Sequence, residues 1–195
     1  MTEDDVISEL NRLHALYVEH VDIVNEFGDT EHAFDIPEKL PGARTIYLAG
    51  GWWGEYQPEL LIKAYHALLM NPTVSHIHVP LLHQYGGNAF VDGKFEPDYE
   101  WATMTYKADL RGIDNTDITV ALFPVEDQDT GTAVEVGYAK GTNKPVVGVF
   151  QGDAHENPIN LMISMSADAS LKNPLDLVDF NFMDIEPNMY DGRLI

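Results

Sequence analysis

The chain has 195 residues, 45% of them hydrophobic, which is enough for one domain with a sizeable core. Its 32 acidic and 11 basic residues give a formal net charge of -21, so nucleic acids and anionic membranes are poor partners and a neutral or cationic small molecule fits better. The absence of cysteine excludes disulfides and thiolate chemistry.

The first 43 residues differ from the remainder of the chain. The start, "MTEDDVISEL", lacks the basic and then apolar pattern of a signal peptide, and no apolar run approaches the roughly 18 residues of a membrane span. We therefore expect a cytoplasmic protein. Residues 4–27 predict one amphipathic helix, and the glycine and prolines of residues 28–43 predict a loop. The apolar positions at helical spacing are Val6, Ile7, Leu10, Leu13, Leu16, Tyr17 and Val21.

We interpret residues 1–43 as an extension packed on the main domain or on a neighbouring subunit, and residues 44–195 as that domain. In the main domain strands and helices alternate, which predicts an α/β fold with a doubly wound parallel sheet flanked by helices. The predicted strands are 44–53, which ends in a glycine turn, 75–82, 117–124 and 144–152. The predicted helices are 57–71, 98–114, 131–143 and 157–170, with 175–182 as a final helix or strand.

Three stretches lie at the carboxyl ends of predicted strands, where parallel sheets bind their ligands: "AGGWWGEY", "FPVEDQDTG" and "FQGDAHENPINLM". Gly50 and Gly51 could cradle a phosphate, but no Lys or Arg lies nearby and Glu55 follows. We therefore expect the glycines to let the backbone approach a neutral ligand, with Trp52 and Trp53 as flat walls. The alternative is that both tryptophans belong to the core or to an interface.

Three acids near this edge point to glycosidic chemistry. Asp109 lies on the second main-domain helix, and Asp129 and Glu135 flank the start of the third. Two or three carboxylates around a sugar can supply a nucleophile and a proton donor. The nearby helix N-terminus is expected to keep Glu135 ionised, as a nucleophile requires. The alternative is that these acids are solvated, like the loop and cap residues Asp114 and Asp117.

The histidines offer a metal site as another possibility. His76 and His78 share one face of a predicted strand and His83 follows, but no acid completes a ligand set. We interpret them as partly exposed or hydrogen-bonded side chains and predict no metal.

Five stretches carry a resemblance to a known family: "TIYLAGGWW", "VPLLHQY", "YEWATMTYKADLRGI", "DTGTAVEVGYA" and "PINLM". In their order and spacing, from about Thr45 to Phe182, the chain resembles the nucleoside 2-deoxyribosyltransferases, and most of all the branch that accepts purines and pyrimidines. The resemblance implies a flavodoxin-like fold and transfer of 2-deoxyribose between nucleobases. It also implies a ping-pong mechanism through a covalent intermediate, no cofactor, and nucleosides and free nucleobases as partners.

The resemblance also implies roles for individual residues. Glu135 matches the family's nucleophile, Tyr47 the tyrosine that orients it, and Asp109 an acid that protonates or holds the base. Asparagine and methionine positions that a neighbouring subunit inserts into the site fall on Asn160 and Met162, which implies a homo-oligomer, typically a hexamer built from dimers. Together with Gly50 and Trp52 of the glycine turn, the expected substrate-binding residues are Asp129, Gln84, Trp101, Asn160 and Met162.

The chain departs from the family at both ends. The helical extension is not part of the usual family core, and it could cap the site, alter the assembly or have no catalytic role. Many members end in an aromatic residue whose hydroxyl or terminal carboxylate reaches the site, whereas this chain ends "YDGRLI". Either Tyr190 substitutes for that residue, or Ile195 contributes only its carboxylate.

Two alternatives to the transferase stay open. One is a nucleoside or nucleotide N-glycosidase on the same scaffold, with water as the final acceptor. The other is a non-catalytic nucleoside-binding module, although the joint presence of Tyr47, Asp109, Asp129 and Glu135 argues against it. The lack of a basic residue in "AGGWWGEY" favours free nucleosides over 5′-monophosphates.

Overall fold

Helices and strands alternate along this computed structural model, which describes residues 1–25, 27–86, 89–91 and 94–195. The strands are β1 Ile23–Val24, β2 Thr30–Glu31, β3 Arg44–Ala49, β4 Val74–His78, β5 Phe90–Val91, β6 Lys94–Phe95, β7 Ile118–Pro124, β8 Val146–Gln151 and β9 Ala169–Leu171. The α-helices are α1 Glu3–His14, α2 Gln57–Leu69, α3 Tyr99–Asp114, α4 Thr130–Gly141 and α5 Leu161–Ser166. A π-helical turn spans Ala15–Glu19, and short 3₁₀-helices span Pro80–His83 and Pro174–Val178.

Five strands form a central sheet in the spatial order β4–β3–β7–β8–β9, and every pairing in it is parallel. Numbered within the sheet, this order is 2-1-3-4-5, which is the flavodoxin-like arrangement. The predicted α/β class and doubly wound sheet are confirmed. The strand order reverses between β3 and β7, and ligands of such sheets bind at the carboxyl ends of the strands there.

Side chains of the sheet alternate between two apolar layers. Ile46 and Leu48 of β3 pack in one layer with α1 and α2, whereas Tyr47 and Ala49 pack in the other layer with α3 and α4. All seven residues of β7 are buried, because helices cover both faces of the sheet. Glu135, on α4, thus lies on the same side of the sheet as Tyr47.

The N-terminal helix packs on the main domain. A capping box begins α1: Thr2 Oγ1 accepts from the backbone N–H of Asp5, and the Asp5 carboxylate accepts from that of Thr2. Leu10 is fully buried in the core cluster that also holds residues of α2. The division of the chain at residue 43 stays a prediction.

The helix predicted for residues 4–27 is too long. The helical conformation ends at Glu19, because His20 adopts a left-handed conformation with φ of 53° and the N–H of Val21 closes back onto Ala15 O at 3.0 Å. Strands β1 and β2 then form a short antiparallel hairpin in part of the region predicted as helix and loop.

Three further expectations need correction. The strand predicted for 75–82 stops at His78, and the tight turn Pro80–His83 follows, since proline lacks the N–H that a ladder needs. The helix predicted for 157–170 is shorter, and β9 begins at Ala169. Of residues 175–182, predicted as a helix or strand, only 175–178 are helical, as part of the 3₁₀-helix Pro174–Val178. None of the helices in the described residues is long and apolar enough to cross a membrane.

Candidate active site

Tyr47 and Glu135 meet between the sheet and α4. Tyr47 is fully buried in β3, and Glu135 lies in the second turn of α4. The Tyr47 hydroxyl donates to Glu135 Oε1 at 2.5 Å. Burial and the charges of Glu135 and Asp109 raise the pKa of Tyr47, so its hydroxyl remains a donor.

The charge state of Glu135 differs from the sequence-based expectation. Burial, together with the charges of Asp109 and Asp129, raises the pKa of Glu135 to about 8, although the hydrogen bond from Tyr47 acts in the opposite direction. The expected stabilisation of the anion by the helix N-terminus is wrong, because such an effect fades beyond the first turn and Glu135 lies in the second.

Asp109 lies close enough to this pair to interact with both members. Its charge contributes to the raised pKa values of Tyr47 and Glu135. Burial raises the pKa of Asp109 itself to about 6. A carboxyl group with such a pKa retains part of its proton near neutral pH and can donate it.

Asp129 caps α4 at its N-terminus. One carboxylate oxygen, Oδ2, accepts from the backbone N–H of Thr132 at 2.6 Å and from its hydroxyl at 2.8 Å. The cap holds the carboxylate at the carboxyl edge of the sheet, where its charge reaches Glu135. Asp129 is only partly buried, so the group can also meet a ligand.

The predicted loop and cap acids have structural partners. Asp117 accepts from the backbone N–H and hydroxyl of Thr45 at 2.8 and 2.9 Å. Asp114 accepts from the hydroxyl of Tyr138 at 3.0 Å. Neither needs a ligand to explain its position, as the sequence indicated.

Gln57 organises the glycine turn after β3, a role that sequence reasoning missed. Its side chain is buried, with Oε1 accepting from the backbone N–H groups of Trp53 and Gly54 at 3.2 and 3.1 Å and Nε2 donating to Asp127 O at 3.2 Å. A Cβ at Gly51 would lie 2.3 Å from Gln57 Oε1, so a larger residue would displace the Gln57 side chain from the turn. The sequence signal was a glutamine directly before Pro58, at a predicted helix start.

Gly50 packs against the neighbouring strand. A Cβ at this position would lie 3.1 Å from Leu122 Cδ1 of β7, so a larger residue would require the Leu122 side chain to shift by a few tenths of an ångström. A role of Gly50 in substrate binding stays a prediction.

Aromatic side chains line the edge beyond this turn. Trp52 is partly buried and contacts Trp53 with ring centroids 5.6 Å apart, and Trp53 is 53% exposed. Phe95 lies 4.8 Å from Trp53 and 5.5 Å from Trp101, edge-on to the latter. Trp101, which is buried, thus joins the two tryptophans of the turn through Phe95. Such a wall offers flat apolar surface to a planar ligand.

The N-terminal extension reaches this edge, and a position over the site was one of the three possibilities that the sequence left open. Glu3, at the start of α1, accepts from Trp52 Nε1 at 3.3 Å and from Gln84 Nε2 at 3.5 Å. Gln84 directly follows the turn Pro80–His83, at the carboxyl side of β4. Nothing in the sequence pattern of α1 distinguished Glu3 from the acids Asp4 and Asp5 beside it.

Asn160 and Met162 line a different surface. With Asp129, Gly137 and Ile163 they border a groove between α4 and α5, and Glu135 is not among its described lining residues. Asn160 caps α5 by accepting from the N–H of Met162 at 2.9 Å. Met162 is 71% exposed, so its side chain is free to contact another molecule.

The C-terminus runs beside this groove. Ile195 donates to Ile159 O at 3.0 Å and accepts from the N–H of Leu161 at 2.9 Å. Tyr190 is buried and packs on Phe150 at 4.7 Å, as part of the core. Of the two readings of the C-terminus, substitution by Tyr190 within its own chain is therefore disfavoured.

The histidines form a stack behind Tyr47. His78 lies between Tyr47 and His83, with ring centroids 5.5 and 4.1 Å away. Burial, with the charges of His83 and His76, lowers the pKa of His78 to about 4, so this ring is neutral at physiological pH. His83 Nδ1 hydrogen-bonds to Val79 O at 2.8 Å. In the described part of the chain no three His, Cys, Asp or Glu residues form a set that could hold a metal ion.

Comparison with known proteins points to one family. The family model described as "Nucleoside 2-deoxyribosyltransferase" matches residues 46–162. A nucleoside deoxyribosyltransferase of Lactobacillus leichmannii is 35% identical over 154 residues, which cover 77% of this chain and 98% of that protein. One from Lactobacillus johnsonii is 35% identical over 148 residues, covering 74% of this chain and 98% of that protein.

A solved structure agrees with these relatives. The 2-deoxyribosyltransferase of the psychrotolerant bacterium Bacillus psychrosaccharolyticus superposes with a TM-score of 0.60 at 30% identity, and the match covers 74% of this chain and 99% of that one. Glu3 and the rest of α1 lie outside the residues that the family model matches.

Proposed function

The chain belongs to the nucleoside 2-deoxyribosyltransferase family and transfers 2-deoxyribose between nucleobases; on this premise we propose that the sugar passes through a covalent bond to Glu135. The observation that carries the proposal is the 2.5 Å hydrogen bond between the Tyr47 hydroxyl and Glu135 Oε1, within reach of the charge of Asp109. A carboxylate held by one fixed donor keeps its second oxygen free for attack.

The proposed reaction consists of two displacements at C1′ of the sugar. In the first, a Glu135 oxygen forms a bond to C1′, the N-glycosidic bond breaks, and its electron pair leaves with the base while Asp109 supplies a proton to a base nitrogen. In the second, a nitrogen of the incoming base attacks C1′, its proton returns to Asp109, and Glu135 leaves. Two inversions retain the β configuration.

Substrate binding is assigned to the residues around these acids. We propose that the base lies against Trp52 and Trp101 with Gln84 at its polar edge, and that Asp129 contacts the base and the sugar hydroxyls. A base is planar, neutral and rich in hydrogen-bonding groups, which suits an aromatic wall in a protein of net charge -21. Excluding water from the covalent intermediate would limit its hydrolysis. A cytoplasmic location stays a prediction.

The raised pKa values set the protonation state that the reaction uses. The proposal requires Glu135 ionised and Asp109 protonated, while the pKa values of the two groups are about 8 and 6. Between these values the pair holds one proton, and only the minority of molecules with that proton on Asp109 is reactive. We therefore expect kcat/KM to be highest between about pH 6 and 8.

We further propose that a second copy of the chain completes each site with Asn160 and Met162. These residues line the groove beside Asp129, apart from Glu135 of the same chain. Leu161, Met162 and Met165 are 48, 71 and 47% exposed on one short helix. An exposed apolar cluster of this kind is suited to an interface between subunits. In a homo-oligomer built from dimers, such as a hexamer, this apolar cluster would form the contact between subunits.

The test is a chromatographic assay of purified protein with 2′-deoxyuridine, with and without adenine. We expect 2′-deoxyadenosine to form with adenine and uracil release to be slow without it. Equal uracil release in both reactions, with no new nucleoside, would identify a hydrolase. No reaction, together with measurable nucleoside binding, would identify a binding module.

The role of Glu135 is tested in the same assay by Glu135→Ala. We expect turnover to be lost. Circular dichroism should show that the fold is retained, and calorimetry should show that base binding is retained. Glu186→Ala, which removes an exposed acid of the C-terminal segment, is the matched control and should exchange bases at the wild-type rate. Turnover by Glu135→Ala would rule out the covalent mechanism proposed here.

A further inference from the structure

The N-terminal extension places one carboxylate on the expected base-binding residues. Glu3 Oε2 accepts from Trp52 Nε1 at 3.3 Å, and Glu3 Oε1 accepts from Gln84 Nε2 at 3.5 Å. These partners follow two different strands of the sheet, β3 and β4. Glu3 thus connects the aromatic wall to the polar edge of the same site.

The position of Glu3 is set by a rigid element. The capping box formed by Thr2 and Asp5 holds the first turn of α1, and Val6 and Leu10, one and two turns further on, are fully buried in the main core. A side chain on a packed and capped helix is held more firmly than one on a loop. Glu3 is partly buried, in keeping with such a contact.

The contact determines which way the amide of Gln84 faces. The NH₂ group of Gln84 donates to Glu3 Oε1 and therefore faces Glu3. The amide oxygen, at the opposite corner of the same planar group, is then left to accept from a ligand at this edge. In the absence of Glu3, the amide could present either its oxygen or its NH₂ group.

We propose that Glu3 is a positioning residue that selects bases carrying a hydrogen-bond donor, such as an exocyclic amine, at the edge that faces Gln84. The inference rests on the proposed function, in which Gln84 contacts the base. It assigns a role to the extension, which lies outside the residues that the family model matches. Adenine and cytosine present an amino group where hypoxanthine and uracil present a carbonyl, so these two pairs report on the polarity of the contact.

The test compares Glu3→Gln with the wild type, using adenine against hypoxanthine and cytosine against uracil as acceptors. The variant keeps the size of the side chain but can also donate, which allows the Gln84 amide to reverse. We expect the kcat/KM ratio of amino to oxo base to fall about three- to tenfold in both pairs, mainly through KM. Asp4→Asn removes one charge from the same exposed turn and should leave both ratios within about twofold.

Two further measurements separate this inference from its premise. In a Gln84→Ala background, Glu3→Gln should change the ratios no further. If the role of Glu3 were merely structural, Glu3→Gln would lower exchange with all four bases alike. The second measurement is the affinity of each variant for the same four bases by calorimetry, which does not require turnover. A shift in affinity ratio without base exchange would support the role of Glu3 and contradict the transferase. Normal exchange with unchanged ratios in Glu3→Gln would overturn the inference on Glu3.

Discussion

At the scale of single residues, two opposing effects act on Glu135. Burial and two neighbouring acids favour its protonated form, whereas the hydrogen bond from Tyr47 favours the anion. Burial prevails, since the pKa rises from 4.5 to about 8. A shift of this size corresponds to an unfavourable energy on the order of a few kcal/mol for the ionised folded protein. An ionisable group whose pKa is shifted this far by burial and neighbouring charges is typical of a reactive site.

Glu135→Gln is therefore expected to stabilise the fold in a pH-dependent manner. The folded wild type binds the proton more tightly than the unfolded chain, so its free energy of unfolding falls as the pH rises from about 4.5 through 8. The glutamine variant lacks this loss and should be more stable by about 1 to 3 kcal/mol at pH 8.5, with little difference at pH 4.5. Urea denaturation at both pH values measures the effect, with Glu186→Gln as the control. An equal difference at both values would contradict it.

Tyr47→Phe tests the other side of this balance. Loss of the hydroxyl removes the group that favours the anion, so the pKa of Glu135 should rise above about 8. We expect kcat to fall about 10- to 100-fold and the upper limb of the kcat/KM profile to move to higher pH, with the lower limb near pH 6 retained.

The matched control for Tyr47→Phe is Tyr138→Phe. It removes a tyrosine hydroxyl that donates to Asp114 from the same helix as Glu135. Its kcat and pH profile should equal those of the wild type. If Tyr47→Phe showed the same profile as this control, the hydrogen bond to Glu135 would have no part in catalysis.

At the scale of secondary-structure elements, α1 is packed as a helix of the main core. Leu10 of α1 is fully buried, as is Leu16 of the helical turn that follows it, and Tyr17 of that turn hydrogen-bonds to His66 of α2 at 2.9 Å. The salt bridge between Arg12 and Glu9 lies on the partly exposed side and contributes little by comparison. Apolar burial therefore holds Glu3 at the site edge.

Leu10→Ala is expected to destabilise the protein by about 2 to 5 kcal/mol, as in other fully buried leucine positions, because it leaves a cavity in the core shared by α1 and α2. Urea denaturation followed by circular dichroism measures the change. Val21→Ala, at a position 49% exposed after the helix ends, should change stability by less than about 0.5 kcal/mol. A result for Leu10→Ala as small as that control would show that α1 is only loosely attached.

At the scale of the whole molecule, the acidic charge opposes self-association of the chain, whereas the exposed groove favours it. A net charge of -21 makes copies of the chain repel one another. The apolar side chains of α5 beside the groove provide a local surface that could overcome this repulsion. Association should therefore depend on that surface and strengthen with salt, which screens the repulsion.

Met162→Glu is expected to reduce self-association and base exchange together, because it places a charge in the proposed interface of a protein that is already acidic. Light scattering after gel filtration, at low and at moderate salt, measures the mass. Met189→Glu adds the same charge at a methionine that is 77% exposed outside the lining of this groove, and should leave mass and activity unchanged. A wild type that is monomeric at assay concentration would contradict the shared-site proposal.

Most of the fold could be predicted from the sequence because its main signals are local. The continuous apolar run of β7, the proline near the start of α2 and the acid that caps α4 all act within a few neighbouring residues. Elements with weak local signals were missed. Strand β9 has only three residues, and the end of the N-terminal helix depends on one left-handed residue, His20.

The sequence by itself determined the alternation of strands and helices, hence the parallel α/β architecture, and it identified Asp109, Asp129 and Glu135 as the candidate acids, because helix and strand periodicity is a local pattern. The family resemblance already implied that Tyr47 orients Glu135, and the structure shows this contact across 88 positions. Only the tertiary structure revealed that Glu3 meets Trp52 and Gln84 across 49 and 81 positions. It also decided that Glu135 resists ionisation. Contacts and burial between segments so distant in the chain set these energies, and no local pattern records them.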